Sequence, residues 1–278
     1  MLMTCHDAAA TIEESVRSVI AQTFTDWELV LVDDLSTDDS LARVERLGDP
    51  RVRIMRLATR HRRTRALNAG LRAARGEYVA VLDADDLAAP DRLARQVAAL
   101  DADRSLAGVG SWFVDIDVAG RVTRRHEFDV DPLAIRRQLA HNCLLVHSAM
   151  TYRADVGRAA GAYDERYDYA QDFALWVALA RRHDLGAIPA PLTSIRRLPT
   201  SMSSGRDYAM DLVRDAVRLY ARAQRLPGLR VVDRMRGVRT IAWFAALLAW
   251  RTLERAVRRG SGRGVRRDSG RGTGGGTD

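Results

Sequence analysis

The chain has 278 residues, 47% of them hydrophobic, enough to bury a core in one domain of about 200 residues with an appendage. Its two cysteines, Cys5 and Cys143, stand in no C-x-x-C or Cys/His spacing, which excludes a zinc site or disulfide framework and leaves packed thiols in a reducing compartment. The formal charge of +8 sits in one place: residues 205–278 hold 17 arginines against 7 acids, so the body is close to −2, and no nucleic-acid partner is expected.

In chain order, "TIEESVRSVIAQ" (11–22) has apolar residues at helical spacing, and "WELVLVDD" (27–34) is a short apolar run ending in acids, as a buried parallel strand does. "DDSLARVERLG" (38–48) predicts a helix closed by glycine; "RVRIMRL" (51–57) alternates apolar and basic side chains and predicts a more exposed strand. "RTRALNAGLRAARG" (63–76) is a third helix, and "EYVAVLDADD" (77–86) a second buried strand. This β-α-β-α rhythm predicts an α/β fold, a Rossmann-like, mostly parallel, doubly wound sheet that binds ligands at the carboxyl ends of its strands. Asp33, Asp34, Asp83, Asp85 and Asp86 fall at those ends.

Beyond residue 109, "VGSWFVDIDVAGRV" (109–122) predicts two strands joined by a turn at Ala119-Gly120, followed by a helix over 131–140 and an amphipathic helix, "DFALWVALARRH" (172–183). From 205 the chain is helical and rich in arginine, and residues 259–278, which lack apolar anchors, are expected to be disordered. The domains expected are therefore 1–204, a helical extension over 205–258, and the tail 259–278. No charged-then-apolar leader and no apolar run of roughly 18 residues is present, so a cytoplasmic address is expected.

An Asp-x-Asp at the end of a buried strand turns alternate carboxylates to one side, where they can share Mg²⁺ or Mn²⁺ with a substrate phosphate. Taken alone, "DADD" reads equally well as a strand-to-helix turn whose aspartates cap a helix. Together, "SVIAQTFTDWELVLVDDLSTDDS" and "RALNAGLRAARGEYVAVLDADDLAAPDRL" resemble the family 2 glycosyltransferases of the GT-A fold, over roughly residues 1–204. The resemblance implies an inverting, nucleotide-sugar-dependent transferase that uses a divalent cation and extends a cell-surface or exported glycan, or a lipid-linked acceptor. Position by position it implies donor contacts at Thr4, Asp34, Asn68 and Asp83, a metal ligand at Asp85, and for Asp86 either a ligand or a helix cap. "YDERYDYAQDFALW" resembles the segment carrying the family's base, which falls on Asp172; a simple helix cap is the alternative there. His147 in "NCLLVHSAMTYR", with Gln171 and Trp176, is implied to line the acceptor cleft.

Several positions depart from that pattern. Leu35 replaces a turn glycine, Gln171 replaces the acid of a Glu-Asp pair, and Leu198 in "RRLPTSMS" (196–203) replaces a histidine, with Arg196 and Arg197 beside it. The chain also opens inside the family's first strand, so a start codon slightly upstream is expected. These departures keep open a degenerate relative that binds nucleotide-sugar or glycan without transfer. A phosphoacceptor receiver and a D-x-D-x-T phosphatase are excluded, since the chain has no lysine and Leu87 and Ala88 stand where a hydroxyl is required. In the tail, arginine-flanked "TIAWFAALLAW" (240–250) has the composition of an interfacial helix, with Trp243, Phe244 and Trp250 at headgroup level and possible membrane contact over 240–259; packing on the core or a second subunit is the alternative.

Overall fold

The computed structural model describes residues 1–167, 169–198 and 208–261. Three parallel strands open the chain, β1 (Leu2–Cys5), β2 (Leu29–Asp33) and β3 (Val52–Arg56), in the order β1-β2-β3, with α1 (Ile12–Ile20) and α2 (Ser40–Glu45) between them. Cys5 pairs with Asp33, so β1 and β2 end level with each other. Alternation along these strands divides two cores: Leu2, Val30 and Val32 face one, while Met3, Leu29 and Leu31 face the other with Val16 and Leu41. The next helix, α3 (Arg62–Ala73), lies close on the first face. A Cβ at Gly70 would come 2.3 Å from Leu2 Cδ1 and 2.8 Å from Val32 Cγ2, so a side chain there would lift α3 off the strands.

The second half is a mixed six-stranded sheet of β4 (Tyr78–Ala80), β5 (Leu87–Ala88), β6 (Leu106–Ile116), β7 (Val122–His126), β8 (Thr151–Arg153) and β9 (Asp184–Arg196). Its order is β4-β8-β6-β9-β5, with β7 paired to β6. The helices of this half are α4 (Arg92–Ala102), α5 (Pro132–Leu139), α6 (Ala154–Ala159) and α7 (Gln171–Ala180). Only β6–β9 is parallel among the pairings within it; a parallel bridge between Leu2 and Val81 joins it to the first half. The sheet is thus parallel where the sequence alternates strand and helix and mixed beyond, because the β6–β7 connection is a tight turn over Asp117–Arg121, which can join only antiparallel strands.

Two expectations change. The run 77–86 is a strand only to Ala80; its acids lie in a turn closed by the Asp86 amide donating to the Asp83 carbonyl at 3.2 Å. β9 has no counterpart in the sequence reading, since Pro189 and Pro191 disguise it, and its pairing with β6 shifts register beside them. Both cysteines are free. Burial, then Asp33, pushes the Cys5 thiol up to about 12, and burial raises Cys143 as well, as packed thiols require.

The chain continues into α8 (Tyr208–Ala223) and α9 (Val231–Ser261), a C-terminal helical region. Phe173 of α7 packs on Tyr220 of α8, and Tyr220 stacks on Phe244 of α9. Residues 262–278 of the tail, positions 199–203 of the "RRLPTSMS" segment and Asp168 lie outside the described residues. No helix among the described residues is long and apolar enough to cross a membrane.

Candidate active site

The carboxyl ends of β1, β2 and the β4 segment converge. Thr4 is half-buried at the end of β1. At the end of β2, Asp33 Oδ1 accepts from the Ser36 amide at 3.1 Å, and Asp34 Oδ1 accepts from the His61 amide at 2.6 Å, tying the start of α3 to the strand. Between them the backbone turns through Leu35 at φ +66°, the left-handed region that a glycine enters without strain. Asp7, in the loop after β1, accepts from the Thr37 amide at 2.7 Å, and that bond comes first among the causes holding its carboxyl below the usual range.

Three carboxylates follow β4. Asp83, Asp85 and Asp86 each offer an oxygen within 4.8 Å of the others. Asp83 is held by Arg63, whose Nη2 donates to Oδ2 at 2.6 Å, and by His147 Nδ1 at 3.3 Å; its own amide donates to Ser148 Oγ. Burial would raise Asp83, yet the charges of Arg63 and His147 outweigh it and hold the carboxyl well below the ordinary range. Asp85 goes the other way: burial first, then the charge of Asp83, pushes it up to about 6. Asp86 is raised well above its usual value by burial and by both neighbours.

Asp86 does not cap a helix. The residue preceding α4 is Asp91, and Asp86 Oδ1 instead accepts from the Arg196 amide at 2.8 Å. Arg196 is buried and spends its guanidinium on the carbonyls of Asp85, Asp117 and Val118 and on Glu14, so it latches the acidic turn to the end of β9. Arg197 pairs with Asp115. Arg196 nevertheless lies near enough for its charge to act on Asp85, against that carboxyl's upward shift. The Asp85 carboxylate accepts from its own amide and offers an oxygen beside those of Asp83 and Asp86, which leaves it placed to take a cation. The donor set, hard oxygens with crowded negative charge, fits Mg²⁺ or Mn²⁺.

Asp172 lies half-buried in the first turn of α7, where its Oδ1 accepts from the Phe173 amide at 2.7 Å; the residue before the helix is Ala170, so Asp172 is not its N-cap. The charges of Asp83, Asp172 and Asp85 all act on Arg63 and, against its burial, hold its guanidinium firmly protonated. Clamps from α3 position this second acidic element. Asn68 donates to the Tyr163 carbonyl at 2.8 Å and accepts from the Tyr163 amide at 3.0 Å, and Thr64 donates to the Tyr167 carbonyl at 2.7 Å.

Asn68, expected at the donor, is buried and commits both ends of its amide to Tyr163, so it braces the loop before α7. His147 faces the acidic turn: Nδ1 lies 3.1 Å from Arg63 Nη2, and Nε2 lies 3.1 Å from the Tyr163 hydroxyl. Trp176 is fully buried, its indole donating to the Leu145 carbonyl and its ring edge-on to Tyr152, and Gln171 is buried as well. Arg63 and Tyr163 were not singled out in the sequence. Arg63 sits in "RHRRTR", where every arginine reads alike until the fold selects one, and Tyr163 opens "YDERYDYAQDFALW" but has no role there until the fold sets it beside His147.

The sequence model of Glycosyl transferase family 2 matches residues 1–158. The succinoglycan biosynthesis protein ExoO of Rhizobium meliloti is 42% identical over 101 residues, 36% of this chain and 29% of that one. The aligned stretches span 23%, 29% and 44% of the first three curated relatives, so the chain matches less than half the length of each. The structure superposes on Staphylococcus aureus TarS 1–349 in complex with UDP-GlcNAc with a TM-score of 0.70 at 19% identity, covering 88% of this chain and 70% of that one. The mannosyltransferase PcManGT from Pyrobaculum calidifontis, in complex with GDP-Man and Mn²⁺, gives 0.60 at 19% identity, covering 91% of this chain and 78% of that one. Both likenesses are of fold, and the fold is of the GT-A type.

Proposed function

Since the chain belongs to glycosyl transferase family 2, we propose that it moves a sugar from a nucleotide-sugar donor to a hydroxyl of a glycan or lipid-linked acceptor, with inversion, in the assembly of a surface or exported polysaccharide. The observation that carries this reading is the acidic cluster Asp83, Asp85 and Asp86 at a strand end, with Asp172 near enough to act on the same arginine. Thr4 and the second carboxylate oxygen of Asp34 face the base and ribose in this reading, and Asp83 the sugar side of the nucleotide. Asp85 would hold Mg²⁺ or Mn²⁺, which when bound supplies positive charge to the diphosphate.

Asp172 is the proposed base. It accepts the proton of the acceptor hydroxyl as that oxygen bonds to the anomeric carbon, while the bond from that carbon to the diphosphate breaks on the opposite face. The Phe173 amide that donates to Asp172 fixes the carboxylate in the first turn of α7. The hydrogen-bonded chain His147–Tyr163–Tyr152 behind Asp83 holds the donor side rigid.

Calorimetric titration with UDP, GDP and dTDP, each with Mn²⁺ and with EDTA, tests the reading. Metal-dependent binding of one nucleotide is expected and names the donor class. No binding to any of them by a folded protein would overturn it and favour a relative without transfer activity.

A further inference from the structure

One side of α9 is apolar and faces water. Val231, Met235, Val238, Ala242, Ala249 and Leu253 recur at intervals of three, four and seven residues, so they share one stripe, and all are exposed. Trp243 and Trp250 flank that stripe, seven residues apart, with 62% and 60% of their surfaces exposed. From Val231 to Leu253 the stripe runs about 33 Å. The opposite side of the helix is already satisfied: Asp233 is buried with Arg230, Thr240 donates to the His141 carbonyl, and Phe244 stacks on Tyr220. Packing on the core therefore accounts for one side only.

The charge beside the stripe is mostly of one sign, with Glu254, half-buried next to Leu253, as the acid at its end. Arg234, Arg236 and Arg239 border it and are exposed, whereas Asp233, the acid of the first turn, is buried. Among the described residues Arg236 and Arg239 have no ion-pair partner, and with Trp243, Thr240 and His141 they line a groove of about 640 Å³ beside the stripe. A helix that pairs with a second copy of itself sets acids against bases along the flanks of its apolar seam. Here that arrangement would set arginine against arginine.

We propose that this face of α9 docks on an anionic lipid surface, with Met235, Trp243, Trp250 and Leu253 in the acyl boundary and a lipid phosphate in the Arg236–Arg239 groove. The inference builds on the proposed lipid-linked acceptor and names the surface at which such an acceptor is met. Apolar burial and attraction of arginine to anionic headgroups combine in such helices.

Co-sedimentation of the full chain with phosphatidylcholine vesicles, with and without about 30% phosphatidylglycerol, tests it. Binding to the anionic vesicles at least about tenfold stronger is expected, and a similar loss in Trp243→Ser/Trp250→Ser/Leu253→Ser and in Arg236→Glu/Arg239→Glu. Nucleotide binding, measured on the same samples, should stay at the wild-type level and shows that the variants are folded. Equal binding to both vesicle types, or variants that bind like wild type, would overturn the proposal; so would a concentration-dependent dimer without vesicle binding, which would make a second copy the occupant. Vesicle binding with no nucleotide binding would instead leave the docking standing and remove the transferase reading.

Discussion

At the end of β4 the chain crowds three carboxylates within 4.8 Å of one another, whereas along the outer side of α9 it leaves two tryptophans, a methionine and a leucine in water. One region holds too much like charge and the other too much exposed apolar surface, and each runs against stability taken alone. Elsewhere burial is met by bonding: Gln96 is buried but donates to the carbonyls of Val109 and Ala149 and accepts from Arg92 and Thr151, and both faces of the sheet are covered. The difference teaches that the two exceptions have the form of half-interactions, each completed by something of opposite character, a cation with a diphosphate in one case and an anionic lipid surface in the other.

The largest expected effect lies at the acidic end. Asp172→Asn should lower turnover by roughly 10² to 10⁴ while donor affinity stays unchanged, since the amide keeps the shape and cannot take the proton. Turnover at saturating donor, with nucleotide affinity measured alongside, checks this; a near-normal rate would remove Asp172 from the role of base.

Asp85→Asn sharpens the comparison because two readouts should move in opposite directions. Nucleotide binding in Mn²⁺ should weaken by on the order of 10- to 100-fold. The metal-free protein should nevertheless become more stable above neutrality. Asp85 titrates at about 6 in the folded chain, above its value near 4 when unfolded, so its stabilising contribution is complete below pH 4 and is lost as pH rises through 6. Removing the charge should restore on the order of 2–3 kcal/mol at pH 8 and nothing at pH 3. Denaturant titrations in EDTA at the two pH values measure this, and equal stability of the two proteins at pH 8 would mean the acids do not strain the free site.

At the other end, neighbouring aromatics on α9 should differ. Phe244 stacks on Tyr220 against the core, so Phe244→Ala should cost about 1–3 kcal/mol, less than a fully buried phenylalanine. Trp243 faces outward but meets Phe244 edge-on, with ring centroids 4.8 Å apart, so Trp243→Ala should cost no more than about 1 kcal/mol. Thermal melts of the two variants without lipid suffice, and a large loss on Trp243→Ala would show that the outer side is already covered.

The same division governs what the sequence revealed. The parallel half was legible because its strands are apolar, end in acids and alternate with helices of clear period, and Asp83, Asp85 and Asp172 stood out through the residues around them. Contacts between distant segments were not legible: Asn68 clamped to Tyr163, His147 turned to Asp83, and Arg63 chosen from a run of similar arginines depend on how α3 meets the loop before α7. Trp176 was set at the acceptor cleft by the resemblance of its segment, and only the fold shows that its indole is fully buried. On α9, composition pointed to an interfacial helix, but only the fold separates Phe244, turned inward, from Trp243 and Trp250, turned outward.

The smallest expected effect concerns backbone at the acidic end. Leu35 holds φ +66° between Asp34 and Ser36, a conformation that costs a side-chain-bearing residue about 1–2 kcal/mol. Its side chain is 45% exposed, so removing it forfeits little burial. Glycine relieves the strain but loses more chain entropy on folding, leaving Leu35→Gly more stable by about 0.5–1 kcal/mol. Leu35→Ala keeps the Cβ that causes the strain and should stay within about 0.5 kcal/mol of wild type. Comparing the two by denaturant titration separates backbone from side chain. If alanine stabilises as much as glycine, the cost lies in exposing leucine, and the acidic end then shares the fault of α9; if only glycine does, the turn carrying Asp34 is strained in its backbone, a cost that no apolar partner could remove.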